Sequence, residues 1–262
     1  MYRSREFLFL ILFAALVCLP GYHNALSQNL PKTVLKSGEK LSYSVRWRLI
    51  PAGEAELVLG IDAQSSQWKV TAKANSVGYI TNLYKVEDEY SSLFHNSTFC
   101  SSEIKKTINQ GDRHREISLQ FDQQRQKAIL RDKNLVNGAT PKQEQFNIPV
   151  CVHDILSALY FSRTVQLEEG RQFEFSLNDG SPTKLITAEV QTIEEVQTEI
   201  GRFMAFRIEP DVFDGNLFKG KGRLFVWFSN DANRIPVQFK AQTSLGTITA
   251  SLTGIENDQL QQ

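Results

Sequence analysis

The sequence predicts an all-β protein, mainly antiparallel: a curved sheet, either an open half-barrel or a barrel-like sandwich, with one short amphipathic helix. Three observations carry this reading. Apolar and polar residues alternate along most of the chain, turn-forming residues interrupt the alternation at short intervals, and a single stretch combines helical spacing with a capping residue.

In the first alternating segment, "EKLSYSVRWRL" (39–49), Leu41, Tyr43, Val45, Trp47 and Leu49 share one face and Lys40, Ser42, Ser44, Arg46 and Arg48 the other. Period two is the signature of a strand with one wet and one buried side, and a helix would mix the two sets. The same pattern recurs in Ala55-Leu57-Leu59-Ile61, Trp68-Val70-Ala72-Ala74 and Ile117-Leu119-Phe121. It returns in Phe173-Phe175-Leu177, Val237-Phe239-Ala241 and Ile248-Ala250-Leu252. Turns are expected at Pro51-Ala52-Gly53, Asn109-Gln110-Gly111-Asp112, Asn178-Asp179-Gly180, Ser229-Asn230-Asp231 and Leu245-Gly246. Pro236 lacks an N–H and so marks a strand start, an edge or a bulge.

The exception to period two is "CVHDILSALYFSR" (151–163). Asp154 is suited to an N-cap, because its carboxylate accepts from the unpaired amides of a first turn. Ile155, Leu156, Leu159 and Tyr160 then fall on one face at helical spacing, and Arg163 sits in the last turn, where positive charge is favoured. The helix is expected to pack as a plug, or move as a lid, on the concave side of the sheet.

Residues 1–27 read as a secretory signal peptide: Arg3 and Arg5, an uncharged run from Phe7 to Leu19, Pro20-Gly21, then Ala25-Leu26-Ser27 at the cleavage site. The run is shorter than the roughly 20 apolar residues of a permanent membrane span. Cys18 follows Val17 rather than the small residue that a lipid-attachment site needs. The expectation is a single β-rich domain over 28–262, soluble, periplasmic or secreted from a bacterium after cleavage near Ser27, with no permanent transmembrane segment. The whole chain has 29 basic and 29 acidic residues. Without Arg3, Arg5 and Glu6 the net charge is about −1, which offers no basic excess for nucleic acid. The exported part keeps two cysteines, Cys100 and Cys151, and an oxidising compartment favours their disulfide over two buried thiols.

Three stretches, "GEKLSYSV", "HDILSALYFSR" and "VWFSNDANRIPVQF", occur in an order that resembles the domain-of-unknown-function family 3108, uncharacterised secreted bacterial proteins. The resemblance spans nearly all of the exported chain. It implies an envelope location and a β-rich fold and brings no catalytic residues with it.

Other constellations have plain structural readings. "FKGKGRLFVWF" (218–228) has glycines and cations, but a strand follows where a phosphate cradle needs a helix. Arg113, His114 and Arg115 suit the exposed face and lip of a strand, and of Glu87, Asp88 and Glu89 the first and last, two apart, share a strand face. No nucleophile elbow, metal motif or phosphate loop occurs, so no catalytic, metal or cofactor-binding residues are assigned and no cofactor is expected. Two non-catalytic classes stand: a binding protein for a lipid or other apolar small molecule, and an envelope scaffold with a filled core that meets another envelope protein. Alternation alone cannot separate them. An apolar cavity of several hundred cubic ångströms would favour the ligand.

Overall fold

The structure is a computed structural model describing residues 35–257, apart from 137–139, 181, 214–220 and 245. Residues 1–27, read above as a signal peptide, and the 214–220 segment lie outside the described residues. The first half of the chain forms β1 (Glu39–Trp47), β2 (Ile50–Ile61), β3 (Trp68–Ser76), α1 (Gly78–Leu83), β4 (Glu87–Phe94), β5 (Ser101–Gln110), β6 (Arg113–Asp122), β7 (Lys127–Asn134) and β8 (Lys142–Asn147). After α2 (Ile155–Ser162) come β9 (Gln172–Leu177), β10 (Lys184–Thr198), β11 (Gly201–Pro210), β12 (Gly222–Ser229), β13 (Pro236–Thr243) and β14 (Gly246–Asn257).

All fourteen strands belong to one antiparallel sheet in the order β8-β7-β6-β5-β4-β3-β2-β1-β14-β13-β12-β11-β10-β9. The chain starts at the middle, winds out to one edge by hairpins, crosses through α2 to the other edge and winds back. Among the described residues the only pairing between strands distant in sequence is β1 with β14. Register shifts at Ser42/Tyr43, Val45/Arg46, Leu93/Phe94, Val190/Thr192 and Trp227/Phe228 place extra residues on one strand of a pair, and such bulges bend a sheet. The sheet curves but does not close, because β8 and β9 do not pair.

The inward faces are those expected from alternation: Leu41, Tyr43, Leu57, Leu59, Val70, Leu119 and Leu252 are buried in one core cluster. Ile186, Ala188, Val190, Ile208, Val226 and Phe228 form a second. On β12 the opposite face is also buried, with Phe225 and Trp227 in the first cluster beside Val196, Phe203 and Ala205. The far end of the β10–β11 hairpin covers that face. The Trp227 Nε1 donates to Glu194 at 2.7 Å, and Ser44 Oγ to Glu199 at 2.9 Å.

Two details differ from the sequence reading. The first turn is at Arg48-Leu49, not Pro51–Gly53, so Leu49 leaves the buried face of β1 and is 82% exposed. Arg48 takes the positive φ of that turn, 56°, which a glycine-seeking reading would not assign to an arginine. Second, a further helix, α1, follows β3. It has no side-chain cap and no buried residue, so it carried neither of the signals that identify α2.

Candidate functional site

The predicted helix lies across the hollow of the sheet and is fixed at both ends. At its start Asp154 is fully buried. Its Oδ1 accepts from the amides of Leu156 and Ser157 at 2.8 and 3.0 Å, and its Oδ2 from the hydroxyls of Ser92 and Ser101 at 2.6 and 2.7 Å. Ser157 closes a capping box by accepting from the Asp154 amide at 3.0 Å. Burial raises the Asp154 pKa, and these donors offset part of that rise. Just upstream, Cys100 and Cys151 form the expected disulfide, with Cα atoms 5.2 Å apart.

His153 had no role in the sequence reading. Its buried ring stacks on Phe161 with centroids 4.7 Å apart, and Nδ1 lies 3.0 Å from the Phe99 carbonyl, to which its proton is donated. Burial drives the imidazole pKa down to about 4. With Cys151 oxidised and His153 enclosed, the two make no nucleophile–base pair.

At the other end of α2, Arg163 is completely buried and makes a bidentate pair with Glu39, Nη1 to Oε1 at 2.6 Å and Nη2 to Oε2 at 2.8 Å. Nη2 also donates to the Asn233 carbonyl at 2.9 Å, and the guanidinium stands 5.0 Å from the ring centroid of Tyr160. The β12–β13 turn that supplies Asn233 is held by Asp231, whose Oδ1 accepts from Ser229 Oγ and from the Asn233 and Arg234 amides. Tyr43 OH donates to the Pro236 carbonyl at 2.8 Å. The three stretches that carried the family resemblance thus meet at one place. Glu39 comes from the first, Arg163 from the second and Asn233 from the third, and their polar residues build the seat of the helix.

Between α2 and the second half of the sheet is a cavity of about 660 Å³. Ile155, Leu156 and Leu159 of the predicted helix face line it, whereas Tyr160 turns away to stack near Phe94, with centroids 6.0 Å apart. The sheet contributes Leu57, Phe175, Ile208, Leu224, Val226 and Phe239, and the space exists because Ala55, Ala188, Ala241 and Ala250 occupy inward positions where larger side chains would fill it. Tyr43, Ser162 and Thr243 also touch the cavity, but their hydroxyls are already bonded to the carbonyls of Pro236, Ala158 and Gly246. Tyr90 is the lining side chain whose polar atom makes no hydrogen bond among the described residues. Burial raises its pKa to about 12, so it is a neutral donor at physiological pH. Among the described residues no charged side chain lines the cavity. Lys106, buried on the inward face of β5, stands 5.6 Å from the centroid of the Tyr90 ring and is neutralised by Asp179 at 2.5 Å.

The other constellations have local partners. Asp88 accepts from Asn109 and Gln110, Glu87 pairs with Lys85, Glu89 with Lys73, Arg115 with Asp132, and Arg223 with Glu209. Among the described residues there is no group of three His, Cys, Asp or Glu side chains placed to hold a metal ion, and no helix is long and apolar enough to cross a membrane.

Sequence reasoning identified the helix face but not the cavity. Alanines at inward strand positions were the available signal. The pairings of Glu39, Asn233, Ser92 and Ser101 had none, since their partners are 53 or more residues away.

Among solved structures, a crystal structure titled as a β-barrel-like protein of domain of unknown function DUF1849 from Brucella abortus is similar, with a TM-score of 0.55 at 7% identity, over 86% of this chain and 99% of that one. At that identity the likeness concerns the fold. No curated protein matches. The family described as "Protein of unknown function (DUF3108)" matches residues 42–253, which bear most of the curved sheet, helix α2 and the lining of the cavity, and the chain therefore belongs to that family.

Proposed function

We propose that this is a non-catalytic exported envelope protein, a single β-rich domain over 28–262, that holds a lipid or another neutral apolar ligand between α2 and the curved sheet. One observation carries the reading: an apolar cavity of about 660 Å³ with no charged lining residue among the described residues. Ligand pockets typically measure ~300–1,000 Å³, and a filled-core scaffold would not keep so large an unoccupied apolar space. Tyr90 supplies one hydrogen bond donor for a polar end of the ligand. The leader-like residues 1–27 and the disulfide support a periplasmic or secreted location.

The plug form of α2 is favoured over the lid form. The helix is tied at its start by Cys151 and the Asp154 cap and at its end by Arg163, so hinging would break a buried ion pair.

The test is native mass spectrometry of the protein purified from its own envelope, with organic extraction of anything bound. An apolar molecule released from the wild type and absent from Ala250→Phe, which fills the cavity, is the expected result. Empty wild-type protein that also takes up no apolar fluorescent probe would defeat the reading.

A further inference from the structure

The polar and apolar surfaces are unevenly spread at one end of the sheet. At the β1–β2 turn Leu49 is 82% exposed, Ile50 45% and Trp47 36%. The β13–β14 turn lies alongside, since the Arg48 amide donates to the Thr247 carbonyl at 2.7 Å and Trp47 pairs with Ile248, itself 44% exposed. On the other side α1 abuts β2, with the Val77 amide donating to the Ala52 carbonyl at 3.1 Å. It presents Tyr79 and Leu83, 68% and 62% exposed, followed by Tyr84. Exposed side chains of this size scattered singly would need no explanation. Here they project from adjoining turns.

Charge accompanies them. The segments 45–53 and 77–86 contain no carboxylate. Lys85 is neutralised by Glu87, but Arg46 and Arg48 make no ion pair among the described residues. Exposed aromatic rings and aliphatic side chains on adjoining turns, with arginines beside them, match the chemistry of a membrane interface. Tryptophan and tyrosine sit at headgroup level, aliphatic side chains enter the acyl boundary, and guanidinium groups meet lipid phosphates. A second copy of the chain fits less well. A stable protein interface takes ~20–30 residues on each side and a complementary surface, whereas this patch is a handful of side chains on projecting turns.

We infer that this rim docks the protein on an anionic lipid bilayer. The cavity runs to the same place: its lining reaches Thr243, the last residue of β13, and Leu224, near the start of β12. Docking would set that end of the cavity against the acyl boundary. This consequence rests on the ligand reading above, while the docking itself does not.

The experiment is flotation of the exported, oxidised chain with vesicles of phosphatidylglycerol and phosphatidylethanolamine, and with phosphatidylcholine vesicles alone. The wild type should float with the anionic vesicles, less so as salt is raised, and remain behind with the neutral ones. Leu49→Asp combined with Leu83→Asp should lower partitioning at least about tenfold at unchanged thermal stability, as both side chains are solvent-exposed in the free protein. Arg46→Gln with Arg48→Gln should remove the preference for anionic lipid. No flotation by the wild type, or equal flotation by the aspartate variant, overturns the inference. So does a Leu49-dependent dimer in sedimentation without vesicle binding. Ala250→Phe, which closes the cavity, should float like the wild type, so failure of ligand binding and failure of docking are read separately.

Discussion

At the scale of single residues, the fold depends on polar groups placed where water is absent. Arg163 and Glu39 have exchanged hydration for each other, and the pair is tolerable only because its geometry is bidentate and the remaining guanidinium hydrogens reach Asn233. Glu39→Gln leaves the buried cation unneutralised. It should cost about 3–5 kcal/mol, measured by urea denaturation, whereas replacing both partners with apolar residues of similar volume should cost much less. His153 makes a pH-dependent contribution. Its folded pKa of about 4 lies below the ordinary 6.5 because burial disfavours the imidazolium. A depressed pKa means that the unfolded chain binds the proton first. Its stabilisation is therefore complete above pH ~6.5 and is lost as pH falls toward 4, by roughly 3 kcal/mol at most. Asp154, with its pKa raised, acts with the opposite sign as pH rises above the usual carboxylate range. The His153→Gln variant isolates the histidine: the loss of stability between pH 6.5 and 4 should be smaller than in wild type by that amount.

Among the elements, α2 decides most. Its capping box and the Arg163 anchor come from its own sequence, but its position across the hollow comes from strands far away in the chain. Closing the 51-residue separation between Cys100 and Cys151 restricts the unfolded chain by about 4 kcal/mol on the entropic account, so reduction should lower the denaturation midpoint markedly. Leu159 is half-buried, packs against both core clusters and lines the cavity. Leu159→Ala should therefore cost about 2 kcal/mol, at the low end for a core leucine, because the existing space means fewer contacts are lost. The same change should increase uptake of an apolar fluorescent probe. A large stability loss with unchanged uptake would place Leu159 in a solid core instead.

Over the whole molecule, the unusual feature is that the chain termini of the domain are central and its edges are formed halfway along. β14 pairs with both β1 and β13, so removing it would split the sheet and expose two strand edges. A chain ending before Gly246 should fail to fold, seen as loss of cooperative thermal unfolding, although it lacks only the last strand of fourteen. The β8 edge is modest: it is six residues long and reads "KQEQFN", and a short, polar, charged edge discourages pairing with other chains.

Alternation by itself determined that the protein is antiparallel β with one face wet, because period two assigns every side chain in a strand to a face. The strand order, the bulges that curve the sheet and the failure of β8 and β9 to pair are set by contacts across the fold. Asp154 with the apolar spacing behind it located α2, since a cap and its helix are local. Helix α1 was invisible, because it forms on the side of β2 without a cap or a buried face. The disulfide could be expected from two cysteines in a chain whose first residues read as an export leader. Leu49 was misplaced by the same alternation that placed Leu41 and Tyr43, because the turn starts three residues earlier than the expected Pro51. The deciding matter, whether inward apolar residues fill the interior or surround a space, was closed to the sequence. Inward leucines look alike in either case, and only the tertiary distances between facing strands and the helix show that alanines there leave a cavity unfilled.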